Sequence, residues 1–207
     1  MLSLIYKYKS SYYESCKDLI KHTIIYSGSL LGTWFFKDSY VSLITIPLLS
    51  LMNIRTFIIF HDCGHNSYTP NKKLNYILGS ILGIFIFTPI CWSYNHRNHH
   101  LTSGNIENKL NHPQNETVTV TFKQYKQFTN IKKIAFKMIR TPLFYFLLVP
   151  ILKFFILHRG EILIYKYYDH PYKQNIRLIF FDTLFNNFGL IQLLNTMNQY
   201  GLLYHYL

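Results

Sequence analysis

Charge is what this 207-residue chain has least of: 14% of its residues are Asp, Glu, Lys or Arg, against roughly a quarter in a soluble globular domain. Acidic residues are the scarcest, nine against 21 Lys and Arg, giving a formal net charge of +12. Such an excess would suit nucleic acid, but no basic block and no nucleic-acid motif carries it. The lysines stand singly or in pairs at the edges of apolar runs (Lys17, Lys21, Lys37, Lys72, Lys73, Lys132, Lys133), where membrane topology places them. No nucleic-acid partner is therefore expected. Cysteine is also sparse: Cys16, Cys63 and Cys91 are too few and too far apart for a disulfide framework, and read as reduced thiols. The N-terminus lacks a cleavable signal, because lysines interrupt its short apolar stretch. With no repeats and no low-complexity linker, residues 1–207 read as one domain.

What is abundant is apolar. Hydrophobic residues make up 49% of the chain and aromatics 18%, yet the mean hydropathy is only +0.07. The apolar residues are thus concentrated into segments between polar stretches, the pattern of a multi-pass helical membrane protein. After a Tyr- and Lys-rich interfacial lead-in, spans are expected near 22–36 and 40–60, joined by the turn "KDS". A hairpin returns the chain to its starting side, which the positive-inside rule makes cytosolic. Residues 74–92 are long enough to span, 141–157 carry Pro142, Pro150 and Lys153 and read as an interfacial helix, and 176–194 form a weak span interrupted by Asp182, Asn186 and Asn187. Leu101–Lys133 reads as a polar segment on the soluble side.

Histidines cluster beside these runs, in "FHDCGHNSY" (Phe60–Tyr68) and "NHRNHHLTSG" (Asn95–Gly104). On a helix, residues i and i+4 share a face, so His61 and His65 can reach one metal, as can His96 with His99 or His100. Unpartnered imidazoles beside apolar spans would be costly, which favours metal ligation. Imidazole suits zinc, copper, nickel and iron, so ligand type alone leaves the metal open. Five histidines exceed the four ligands of a structural zinc site, so two metals are plausible. A shared site requires both clusters on one side of the membrane, and residues 74–92 are therefore expected not to span; Gly79, Gly83 and Pro89 make that run easier to break. Arg55, inside the second span, reads as a topological or a site-facing charge.

"HDCGH" resembles the first histidine box of the membrane fatty acid desaturases and "HRNHH" the second, H-x-x-H-H. The likeness runs from about residue 40 to 160 and is strongest to the acyl-lipid, omega-6 (delta-12) type. It implies an all-α, multi-pass membrane protein with its histidine cluster on the cytosolic side and interfacial helices between and after the boxes. It further implies a non-haem di-iron site that uses dioxygen and two electrons to leave a cis double bond in an acyl chain. On this resemblance His61, His65, His96, His99 and His100 are catalytic iron ligands and Asp62 supports them from behind. Arg55, Trp92 and Arg97 take lining or topological roles. Membrane lipid or another acyl carrier is the implied substrate, and a cytochrome-type protein or ferredoxin the implied electron donor.

The family also carries a third box, H-x-x-H-H, after a further pair of spans. After His100 this sequence has only the isolated His112, His158, His170 and His205. The chain is accordingly expected to be truncated before that box, with its second iron under-coordinated and its activity as a stand-alone catalyst open. An inactive membrane remnant that binds metal or lipid, and another histidine-box hydroxylase or ketolase, are the alternatives. Acyl length, double-bond position, carrier, organelle and oligomeric state leave no mark in the sequence.

Overall fold

The computed structural model describes residues 10–102, 120–159 and 176–203. Among them every regular element is helical and no strand occurs, as expected of an all-α chain. The helices are α1 (Tyr12–Phe35), α2 (Ser42–Gly64), α3 (Lys72–Phe85), α4 (Trp92–Thr102), α5 (Phe122–Lys126), α6 (Asn130–Met138), α7 (Pro142–Leu152, continued by a π-helix Lys153–Leu157) and α8 (Ile176–Gln199). They fall into two compact units, Met1–Ile90 with Leu184–Leu207, and Cys91–Thr183.

In the first unit α1 and α2 form an antiparallel hairpin, as the pairings along it show. Gly32 lies beside Thr45, Tyr26 bonds Asn53 (3.2 Å), His22 bonds Thr56 (3.1 Å), and Asp18 pairs with Arg55. The helix begins at Ser11, whose hydroxyl accepts from the Glu14 amide, so the N-terminal lead-in from Tyr12 and the first expected span are one continuous helix. Glu14 in the first turn suits the positive end of the helix dipole.

Polarity along α1 runs inside out, whereas α2 buries Leu49, Ile59 and Phe60 beside Thr56. The buried residues of α1 are Ser15, His22, Ser29 and Thr33, whereas Ile20, Ile24, Leu31 and Phe35 are exposed. Along α2, Leu43, Ile44, Leu51, Ile54 and Ile58 likewise face outward. Small and hydrogen-bonding residues at a helix seam are what helices meeting in hydrocarbon would use. Ser15 and Tyr68 close the end of this seam, the Ser15 hydroxyl donating to the Tyr68 carbonyl and the Tyr68 hydroxyl reaching both the Ser15 carbonyl (3.1 Å) and Asp18 (3.2 Å). Among the described residues α2 is the one helix long and apolar enough to cross a membrane unaided; α6 with α7 and its π-helix pass together, but bent by 87°.

Burial and the Asp18 carboxylate both raise the Tyr68 phenol above the ordinary tyrosine range. The folded chain therefore holds this proton longer than the unfolded chain does. Stability from this group is complete below a pH of roughly 10 and is lost as pH rises further. Unfolding in detergent, followed against pH, is expected to show this alkaline loss in the wild type and a smaller one in Tyr68→Phe. Asp18→Asn is expected to cost about 1 kcal/mol at neutral pH, since the ion pair is more than a third exposed on both sides.

The apolar run after Pro70 breaks early. Asn71 caps α3 by accepting from the Lys73 and Leu74 amides, but the helix stops at Phe85, 14 residues on. At 1.5 Å per residue that is about 21 Å. The chain turns through Phe87, whose φ is +57°, a left-handed conformation costly for an aromatic residue. Packing of Phe87 against the core of Leu49, Met197 and Leu202 offsets that strain. Gly79 and Gly83 let α3 lie close to Cys63 and Phe60 of α2, and Gly189 of α8 accommodates Ile84.

Candidate functional site

His61 and His65 end α2. Their spacing of one turn brings the two Nε2 atoms to 3.2 Å, with the rings edge to face at 4.5 Å between centroids. The other nitrogen of His61, Nδ1, lies 3.2 Å from an Asp62 carboxylate oxygen. A proton on Nδ1 donates to that oxygen, which leaves Nε2 bare and turned towards His65. The helix terminates at once: His65 is its cap, and Asn66 takes a φ of +58°, which asparagine tolerates better than most residues. The Ser67 amide then bonds back to the Asp62 carbonyl. Beyond it, the fully buried Asn75 clamps the loop by accepting from the Thr69 amide (2.8 Å) and donating to the Thr69 carbonyl (2.9 Å).

The second unit repeats the device on α4. His96 and His100 bring their Nε2 atoms to 2.9 Å. The buried Trp92 stacks on the His96 ring at 4.3 Å and 17°, so one turn of helix both supplies the ring and holds its plane. At the start of α4 the Cys91 amide donates to the buried Asp182 carboxylate (2.8 Å), a negative charge placed at a helix N-terminus. Arg97 stays on its own helix, bonding the Ser93 carbonyl and lying over the Tyr94 ring. Arg55 is held by Asp18. His99 belongs to α4, but its side chain lies outside the described residues, as does all of His112 and His170.

Among the described residues, the histidine pairs suited to holding a metal ion are His61 with His65 in the first unit and His96 with His100 in the second. The donor set fits one. The two nitrogen separations, 3.2 and 2.9 Å, are short enough for a single ion to touch both nitrogens of either pair. Without a metal, one Nε2–H of each pair can donate to the facing nitrogen, and imidazole is a ligand for iron among other transition metals.

Of the two supporting residues, Asp182 was hard to see in the sequence and Trp92 was legible there. Asp182 stood out only as a charge within an apolar frame, and its tie to Cys91 spans 91 residues. Trp92 sits four residues before His96, a spacing that does signal a shared face.

Comparison with known proteins bears on what these pairs serve. Residues 39–200 match the sequence profile of the family described as fatty acid desaturase. A fatty acid desaturase of Bacillus subtilis (strain 168) is 34% identical over 137 residues, covering 62% of this chain and 38% of that protein. An sn-1 acyl-lipid omega-3 desaturase (ferredoxin) of Nostoc sp. (strain 36) is 31% identical over 125 residues, 58% of this chain and 31% of the relative. A delta(12) fatty acid dehydrogenase of Crepis alpina is 31% identical over 87 residues, 36% and 23% respectively. The chain thus spans less than two fifths of the length of these relatives. No solved structure matches it. The profile covers well over half of the sequence and includes both histidine clusters, and the chain belongs to the fatty acid desaturase family.

Proposed function

We propose that the protein is an acyl-lipid desaturase whose two histidine boxes serve one non-haem di-iron centre at the cytosolic edge of a multi-pass membrane fold. The observation that carries this reading is the pair of facing Nε2 atoms built by each box. His61, His65, His96, His99 and His100 are the residues that would hold iron. Bound there, iron with dioxygen and two electrons would supply the oxidising power to remove hydrogen from an unactivated acyl C–H bond. The chain's own groups do the positioning. Asp62 fixes the His61 tautomer by accepting from Nδ1, Trp92 keeps the His96 ring in plane, and Asp182 secures the first turn of α4. Arg55 anchors the hairpin to Asp18 rather than serving the acyl chain.

Topology supports the same reading. α1 and α2 cross as a hairpin and bring His61 back to the side of the N-terminus. A 14-residue α3, shorter than a hydrocarbon core of about 30 Å, supports a re-entrant path on which both boxes keep to one side of the membrane. The names of the Nostoc and Bacillus relatives support an acyl substrate, and that of the Nostoc protein supports a ferredoxin-type donor.

The third pattern, H-x-x-H-H, does not occur within these 207 residues. The test is therefore fatty-acid profiling in a host without polyunsaturated acids, with an electron donor present and the chain expressed alone or with the C-terminal part of the Bacillus relative. A new cis double bond in the second arm is the expected result. No new double bond in either arm, from chain shown to contain iron, would sink desaturation.

A further inference from the structure

Between Val120 and Arg140 there are six basic residues, Lys123, Lys126, Lys132, Lys133, Lys137 and Arg140, and no acid. Along α6, at about 100° per residue, Ile131, Ile134 and Met138 fall within an arc of roughly 60°, while Lys132, Lys133 and Lys137 occupy the opposite side. Ile131 is 80% exposed and Ile134 58%, an unpartnered apolar stripe on a nine-residue helix. The platform beneath it is fixed. Thr121 forms a capping box with Gln124 at the start of α5, and Thr129 caps α6. Phe136 packs at 5.6 Å from Tyr125 and 5.8 Å from Phe128, and the Arg140 guanidinium lies 3.5 Å over the Phe136 ring. Tyr125, Phe136, Lys137 and Arg140 line an open hollow of about 410 Å³, within the size range of small-ligand sites.

The next helix has a different character. Leu143, Phe146, Leu147, Ile151 and Ile156 are all exposed, so α7 and its π-helix present a broad apolar surface, with Lys153 at their junction, as a segment largely immersed in lipid does. They meet α6 at 87°. If α7 stands in the bilayer, α6 lies along its surface.

We propose that α5 and α6 form an in-plane platform that binds the anionic headgroups of the membrane surface, with α7 entering the bilayer beside it. Ile131, Ile134 and Met138 enter the acyl boundary, while the lysines and Arg140 take the phosphates. An apolar stripe flanked by cations fits an anionic bilayer, whose hydrocarbon covers the stripe; an acidic soluble protein would cover only the charges. The inference rests on the membrane part of the proposed function.

The test is hydrogen exchange with mass spectrometry on the full 207-residue chain, in nanodiscs of phosphatidylcholine alone or with phosphatidylglycerol replacing a third of it. Amides of α6 are expected to exchange at least tenfold more slowly with the anionic lipid, and the difference should vanish in molar salt. Lys132→Gln, Lys133→Gln and Lys137→Gln combined should abolish the preference, each lysine contributing up to about fivefold, while α2 stays protected. Equal α6 exchange in both discs with α2 and α7 protected overturns the platform and leaves the membrane reading standing. Exchange of α2 and α7 as rapid as that of an exposed loop overturns both.

Discussion

Replacing His61 or His96 by alanine is expected to lower iron retained by the purified protein, and any desaturation by the assembled enzyme, by more than roughly 100-fold. Each substitution removes one nitrogen of a facing pair, and the imidazole left behind loses its partner one turn away. Asp62→Asn should be milder, about 10-fold to 100-fold in metal affinity, the usual effect of losing a group that orients a ligand. Trp92→Phe keeps a ring against His96 and should be milder still. His112, isolated in the sequence, serves as the control, and His112→Ala should leave iron content unchanged. Metal analysis of detergent-solubilised variants decides the order; equal iron in His61→Ala, His96→Ala and wild type would remove the histidine boxes from the metal site.

Gly83→Ala is expected to be the most damaging single-methyl change in the first unit. A Cβ there would lie 2.2 Å from the Thr88 carbonyl oxygen, 3.2 Å from the Phe60 ring and 3.4 Å from the Asn186 amide. The nearest atom is backbone, held by the Thr88 amide bonding to the Gly83 carbonyl at 2.8 Å, so the turn after α3 has to open. A cost of about 3 kcal/mol or more follows, at the upper end for overpacking. Gly28→Ala is the matched comparison. Nothing lies within 4 Å of its Cβ position, and alanine should stabilise α1 by about 0.5–1 kcal/mol. Thermal unfolding in one detergent, measured for both variants, should move in opposite directions; equal midpoints would show that the close approach at Gly83 is not needed.

Legibility in the sequence followed the range of the interaction. An i, i+4 spacing is local, so the facing nitrogens of His61 with His65 and His96 with His100 follow from helix geometry once the helices exist. His61 and Asp62 are also neighbours, and their contact was foreseeable. The helical class was visible in the long apolar segments. Boundaries were less so: the run from Leu74 to Trp92 is continuous in hydropathy, yet the helix ends at Phe85, because a left-handed Phe87 and the Gly83–Thr88 approach are tertiary events. Pro142 and Pro150 looked disruptive at 141–157. Pro142 sits at the first helical position, where no amide is missed, and Pro150 lies inside α7 near its transition to the π-helix. Arg55 looked like an isolated charge in a span because its counter-ion, Asp18, is 37 residues away.

The outward apolar surface of the hairpin also bears on how stability depends on temperature. Heat capacity rises on unfolding when apolar surface moves from a packed interior into water. Here Leu43, Ile44, Leu51 and Ile54 are already outward in the folded chain while Ser29, Thr33 and Thr56 share the inside with Leu49, Ile59 and Phe60, so unfolding within a micelle exchanges one apolar environment for another over much of the surface. The stability curve of this unit should be flatter than that of a soluble domain of its size, with folding held by hydrogen-bond enthalpy along the α1–α2 seam and little tendency to loosen in the cold.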